Sequence, residues 1–455
     1  MPSWHLLLEI NSRLNELVWG PPFMVLLVGT GVYLSIRLRF FQLTHLRFAW
    51  RRSFGTLLRR GTSDEKGAIS SFQAVAAAMA ATVGVGNIAG VSTALALGGP
   101  GAIFWMWVVA VFSMATKFAE ATLGVRYRHI DPSGEVSGGA FYYIERGLGW
   151  RPLALLYAVF AGLASFGIGN MVQANTMAHA LATGFAMPPW LTGILAVVLV
   201  GVVILGGIKR IGATAERIVP FMALAYVLAG LIVLLLNLPK VPDAFGAILR
   251  HAFEPAAPAG GFAGATVLAA IRFGIARGIF SNEAGLGSAS IVHAQARNTP
   301  AGQGLWGMWE VAIDTLLICT MTALVVLVTG VLESGATGAE LAAKAFTAGL
   351  PVAGGMVVIV SLALFSYTTL ITWSFYGEKS FEYLIGRRST RPYRLVFLAL
   401  IPVGATGGLQ EVWLLADTLN GLMAAPNLIA LVALAGVVVK ERATLTSQAT
   451  DDETR

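Results

Sequence analysis

An all-α polytopic membrane protein is the fold class this sequence predicts, on three observations: composition, recurring apolar windows and alternating basic loops. Hydrophobic residues make up 56% of the 455 positions and charged residues only 12%. No soluble core can hide that much apolar side chain. A bilayer core near 30 Å thick needs about 20 apolar residues per helix. Such windows fall near 20–37, 70–97, 101–125, 153–181, 191–208, 214–237, 262–281, 304–331, 352–376, 393–410 and 413–438, eleven in all. Arg39, Arg47, Arg51, Arg52, Arg59, Arg60 and Lys66 crowd the loop after the first window, and cations gather again at 126–151, 209–217 and 379–394. The loops between them carry few cations. By the positive-inside rule the basic loops are cytoplasmic, which puts the N-terminus outside and the C-terminal tail in the cytoplasm of a plasma-membrane protein.

The same composition narrows the function classes. The loop bias accounts for the net charge of +7, and no basic, aromatic-bearing soluble face suggests a nucleic-acid partner. The single cysteine, Cys319, lies inside a window, so neither an internal disulfide nor a thiol metal site is expected. The first residues lack a basic stretch followed by an apolar run and a small-residue cleavage site, so no removable signal peptide is expected. No G-x-S-x-G, H-E-x-x-H or grouped His and Cys supports an intramembrane enzyme, and no cofactor is implied.

Along the chain, residues 1–67 form an N-terminal segment with one extra helix and a basic loop. Two five-helix blocks follow, at 68–238 and 262–438, and then a tail at 439–455. The first helix of the first block is interrupted by "ATVGVGNIAG" (81–90), and the first helix of the second by "ARGIFSNEAG" (276–285). Asn87 and Asn282 begin matched Asn-x-Ala-Gly tetrads 195 positions apart. Main-chain groups freed from helical pairing cannot face lipid, so an unwound stretch at membrane depth must be buried in protein or line a wet cavity. Blocks with an odd number of helices are inverted relative to each other, an architecture of secondary transporters rather than of pores around a symmetry axis. The third helix of each block carries a polar interruption at the same offset, "GIGNMVQAN" (167–175) and "LALFSYTTL" (362–370). Both third helices therefore face one centre. A half-helix N-terminus around Val85, Gly86 and Asn87 offers free N–H groups to a carboxylate, and unwound carbonyls suit a hard cation.

"GGPGAIFWMWVVAVFS" (98–113), "TKFAEATLGVRYR" (116–128), "GNMVQAN" (169–175) and "GIFSNEAGLGSA" (278–289) together resemble the alanine/glycine:cation symporter family, the sodium:alanine symporters, from about residue 65 to 440. Ser113 stands where that family more often carries Gly. The resemblance implies a LeuT-like fold, a 5+5 inverted repeat with one added N-terminal helix. It implies Na⁺-coupled import of alanine or glycine, with H⁺ as the alternative coupling ion. It also implies a Na⁺ site built from the carbonyls of Ala80, Val83 and Phe365 and the hydroxyls of Thr368 and Thr369. For the substrate it points to Thr82, to Ile168, Asn170 and Val172, and to Thr369 with Trp373 one turn on. Phe280 is implied as a lid or wall.

Ionisable residues inside spans are costly and rare. Lys117 and Glu120, three apart near a helix end, are expected to form a structural ion pair. Arg277 and Glu283 flank the second interruption and are candidates for a charge-paired gate. Asp314 is a candidate for a second cation or a proton. Of the six histidines, His179 alone falls within a window, so a histidine relay is not expected.

Overall fold

The computed structural model describes residues 2–57, 67–132, 134–258, 264–407 and 410–453. The basic residues Arg59, Arg60 and Lys66, and the first positions of the 262–281 window, lie outside the described residues. Helices dominate, and a two-stranded antiparallel hairpin, His129–Ile130 with Val136–Ser137, is the one sheet among the described residues.

Each apolar window holds helix. Among the described residues, seven helices are long and apolar enough to cross a membrane, or eight when the bent pair Ser71–Thr82 and Gly86–Gly98 counts as one span. The windows at 191–208, 262–281 and 393–410 hold the shorter helices Pro189–Ile204, Val267–Asn282 and Thr390–Thr406. Outward faces are apolar: on Gly207–Leu236, Phe221, Leu224 and Leu235 are exposed at 68%, 59% and 59%. In water such a face would be an aggregation site, whereas among acyl chains it is simply solvated.

Local chemistry fixes where helices begin and break. Ser70 accepts from the Gln73 amide while its own amide donates to the Gln73 side chain, a capping box that starts the first broken helix. The α-helix ends at Thr82, Val83 is extended, and a π-helical turn, Gly86–Gly90, restarts the element after a 50° bend. In the second block, Val267–Asn282 is capped by the Thr266 hydroxyl and ends at Glu283, which takes a left-handed conformation. Gly285 and Gly287 follow with φ of +93° and +79°, which L side chains rarely adopt, and helix resumes at Ala289–His293. The third helix of the first block, Arg151–Phe185, has a π turn at Gly167–Met171. Its counterpart, Gly354–Ile385, is α-helical throughout, so the polar stretch at 362–370 is no break.

The broken elements pack inside the molecule. Gly101–Arg126 lies against both Val267–Asn282 and Pro300–Val311, and Gly354–Ile385 lies against Ser71–Thr82, Arg151–Phe166 and Val172–Phe185. Both interruptions are buried in protein, as the rule for irregular backbone at membrane depth requires.

Candidate functional site

The two interruptions meet through side chains. Asn87, fully buried, accepts from the Gly84 amide at 2.7 Å and so holds the unwound turn. Its Nδ2 donates to the Asp314 carboxylate at 2.6 Å, while Ser281 donates to the same carboxylate at 3.0 Å and Thr315 at 2.8 Å. Asn282 donates to the Thr315 hydroxyl at 3.1 Å. Asp314 thus ties the first break, the second break and the π-helical segment Ala312–Cys319 into one buried polar cluster.

Beside it lies a cavity of about 30 Å³ lined by Ala81, Thr82, Gly84, Val85, Gly86, Ile168, Val172, Gln173, Phe280, Glu283, Thr369, Trp373 and Asn420. It is far smaller than the roughly 300–1,000 Å³ of drug-sized ligand sites. Thr82, Val85, Gly86, Ile168, Val172, Phe280, Thr369 and Trp373, all singled out in the sequence, come together here. Asn170 does not: its amide donates at 2.6 Å to the Phe397 carbonyl on the neighbouring helix Thr390–Thr406. The π turn at Gly167–Met171 rotates it away and turns Gln173 inward. Ala81, Gly84, Gln173, Glu283 and Asn420 are the lining residues that the sequence did not assign to the pocket. The side-chain oxygens of Gln173 and Asn420 are buried without a partner among the described residues, and an unsatisfied buried acceptor costs about 1–3 kcal/mol.

The expected gate pair does not form. Glu283 accepts from the Trp373 indole N–H at 3.1 Å and from Ser288 at 2.6 Å. Arg277 lies over the Phe280 ring at 5.8 Å, and its electrostatic partner is Asp417. The left-handed turn at Glu283 points that carboxylate into the cavity wall, and Arg277, six residues earlier, sits elsewhere.

Oxygen atoms gather where the first broken helix touches Gly354–Ile385. The Thr369 hydroxyl lies 3.1 Å from the Ala80 carbonyl and 2.9 Å from the Phe365 carbonyl, and the Thr368 hydroxyl lies 3.0 Å from the Phe365 carbonyl. Val83 is fully buried where its helix ends. Oxygens about 3 Å apart suit the corners of a shell around one hard cation bound at about 2.3–2.6 Å. Every group in this set is neutral. Among the described residues, no cluster of three or more His, Cys, Asp or Glu could hold a metal.

Lys117 and Glu120 do not pair with each other. Lys117 meets Glu310 at 2.9 Å, and Glu310 meets His293 at 3.0 Å, all fully buried. Glu120 accepts from the amides of Gly285 and Gly287 at 3.0 and 2.9 Å and from Asn427 at 2.7 Å. One face of Gly101–Arg126 therefore clamps the second break from behind. The sequence shows the Gly-x-Gly turn but not that Glu120, 165 positions earlier, faces it.

Two broken helices set against each other in a mostly helical bundle, with a small cavity between them, define a LeuT-type secondary transporter. The structure matches MhsT in complex with L-phenylalanine over 82% of this chain and 98% of that one, with a TM-score of 0.53 at 13% identity. It matches the manganese transporter of Eremococcus coleocola with a TM-score of 0.53 at 17% identity, over 82% and 81% of the two chains. These likenesses show the fold. The chain belongs to the sodium:alanine symporter family, whose sequence model matches residues 4–455. It is 48% identical over 442 residues to the sodium/alanine symporter AgcS of Methanococcus maripaludis, covering 95% of this chain and 96% of that one. It is 38% identical over 429 residues to the probable sodium/glutamine symporter GlnT of Bacillus subtilis, covering 93% and 87%. The chain is thus a sodium-coupled amino-acid symporter and not an enzyme.

Proposed function

We propose that the protein carries alanine or glycine into the cell with Na⁺ by alternating access, the two blocks 68–238 and 262–438 moving as inverted repeats about the paired breaks. The observation that carries this reading is the small cavity bounded on one side by free backbone and on the other by Trp373. A zwitterion needs both charges met in place, since each costs several kcal/mol to desolvate. The amides around Val85 and Gly86 face the carboxylate. The unpartnered oxygens of Gln173 and Asn420, with the Glu283 carboxylate, offer acceptors for the ammonium group. A cavity this size favours a hydrogen or methyl side chain over the longer amide chain named for GlnT.

Na⁺ binds in this reading at Ala80, Val83, Phe365, Thr368 and Thr369. Thr369 belongs to both the oxygen cluster and the cavity wall, so each ligand raises the other's affinity. A proton, or a second cation, is the other reading of the coupling, favoured by the buried carboxylate of Asp314, which has no cationic partner within 4 Å among the described residues. Uptake of labelled alanine and glycine into proteoliposomes, with Na⁺ and proton gradients imposed separately, tests both. Uptake driven only by Na⁺ supports the first reading; uptake driven by the proton gradient alone overturns it. The N-terminus is external and the tail cytoplasmic in this arrangement, which labelling of single engineered cysteines from either side would check.

A further inference from the structure

We propose that the turn between Gly354–Ile385 and Thr390–Thr406 is a binding site for the headgroup of an anionic phospholipid. Five cations meet there: Arg387 and Arg388 on this turn, Arg391 and Arg394 at the start of Thr390–Thr406, and Lys209 at the start of Gly207–Leu236, where a Cβ added at Gly207 would lie 3.7 Å from the Arg394 guanidinium. The acids nearby are already committed. Asp131 and Glu135 hold Arg387 at 2.5 and 2.9 Å, Glu135 and Glu382 hold Lys379 at 3.0 and 2.8 Å, and Glu378 holds Arg394 through two hydrogen bonds. Arg388 and Arg391, exposed and three residues apart, have no acidic or hydrogen-bonding partner among the described residues. Both guanidinium groups border an open cavity of about 610 Å³, with the Thr390 side chain between them in sequence.

What surrounds the patch decides the class of anion. Ile385 immediately before it and Leu395 immediately after it are exposed at 70% and 67%, and Leu205 on the adjoining loop at 62%. Both helices carry apolar residues along most of their length. A free phosphate would use the arginines and leave these side chains in contact with nothing suited to them. A phospholipid satisfies both, its phosphate on the planar forks of Arg388 and Arg391 and its acyl chains along Leu395 and Ile385. Basic pockets between spans on the face carrying the basic loops recognise lipid headgroups by this chemistry. The bound headgroup would also sit beside the Arg387 and Lys379 bridges that hold the hairpin 129–137 to the end of Gly354–Ile385, so occupancy would bear on how that hairpin is held.

The test uses the full-length protein in detergent, titrated with phosphatidylglycerol, phosphatidylcholine or inorganic phosphate, with bound lipid counted by native mass spectrometry. The comparison is wild type, Arg388→Gln with Arg391→Gln, and the charge-matched pair Arg47→Gln with Arg51→Gln on the basic helix Leu46–Leu57. At about fivefold in affinity per arginine near an anionic headgroup, the first pair should weaken phosphatidylglycerol binding about 30-fold, while the second pair leaves it within about twofold. Equal losses in both pairs, or no preference for phosphatidylglycerol over phosphatidylcholine, would overturn the site. Displacement of bound lipid by millimolar phosphate alone would make it a site for a free anion instead. Alanine counterflow by the first pair in phosphatidylcholine vesicles reports independently that the variant is folded.

Discussion

Trp373→Ala tests the pocket wall most directly. The indole is 1% exposed, lines the cavity, and donates to Glu283 at 3.1 Å. Its removal opens space on the side of the cavity away from the free backbone of the first break. Leucine has three more carbons than alanine, and at about 0.8 kcal/mol per buried CH₂ they are worth about 2.4 kcal/mol once there is room for them. The leucine affinity should therefore rise about 50-fold. The truncation also costs about 3–5 kcal/mol of stability, so the variant must first show a Na⁺-dependent rise in melting temperature. Counterflow in proteoliposomes then reads selectivity, with labelled alanine or leucine inside and the unlabelled partner outside. Trp373→Phe separates volume from hydrogen bonding. It should still exclude leucine, yet lose about tenfold in alanine affinity, because the Glu283 carboxylate loses a donor and hydrogen bonds to charged groups contribute about 1.5–3 kcal/mol. A folded Trp373→Ala protein that still rejects leucine would refute the reasoning, since the wall would then be some other residue.

Other substitutions probe the remaining parts. Replacing Thr368 and Thr369 together by alanine should raise the Na⁺ concentration for half-maximal uptake at least tenfold, and serine at both positions should restore it; equal curves for all three proteins would remove these hydroxyls from the ion site. Asp314→Asn should lower the number of cations or protons moved per alanine, read from reversal potentials in proteoliposomes, and unchanged coupling would leave Asp314 a structural tie only. Lys117→Met takes the lysine cation from buried Glu310, leaving it against His293, and should cost about 3–5 kcal/mol, whereas Lys117→Met with Glu310→Gln should recover most of the lost melting temperature. Melting of the two variants at one temperature would show that the pair is not what carries the cost. At Gly169 an added Cβ would lie 2.4 Å from the Trp373 Cβ, while at Gly29 it would meet nothing within 4 Å. Gly169→Ala should therefore abolish alanine binding with Gly29→Ala silent, as measured by scintillation proximity.

What could be read from residues, and what could not, follows from how far each inference depended on helical phase. The breaks were legible because glycine and asparagine at matched offsets change the local backbone chemistry, and that is visible one residue at a time. The helix faces were legible only while a helix kept 3.6 residues per turn. Ile168 and Val172 fall on one such face and do line the cavity, but the π turn between them adds a residue to the winding, so Asn170 swings to the Phe397 carbonyl and Gln173 takes the inward position. Partner choice was less legible still. Lys117 and Glu120 have the spacing of a surface ion pair, yet on a fully buried face each meets a group supplied from far along the chain, Glu310 and the Gly285–Gly287 turn. His293 was passed over because its segment lies outside every apolar window, although it is fully buried against Glu310. Its burial follows from the second break, which turns the chain back into the protein at Glu283 instead of releasing it to a loop. A buried carboxylate holding that turn is thus as much a consequence of the Gly-x-Gly sequence as the cavity in front of it. Glu120→Leu should accordingly disturb alanine binding without touching the cavity, by removing the acceptor of the Gly285 and Gly287 amides. Unchanged alanine affinity in a folded Glu120→Leu protein would mean the turn holds itself.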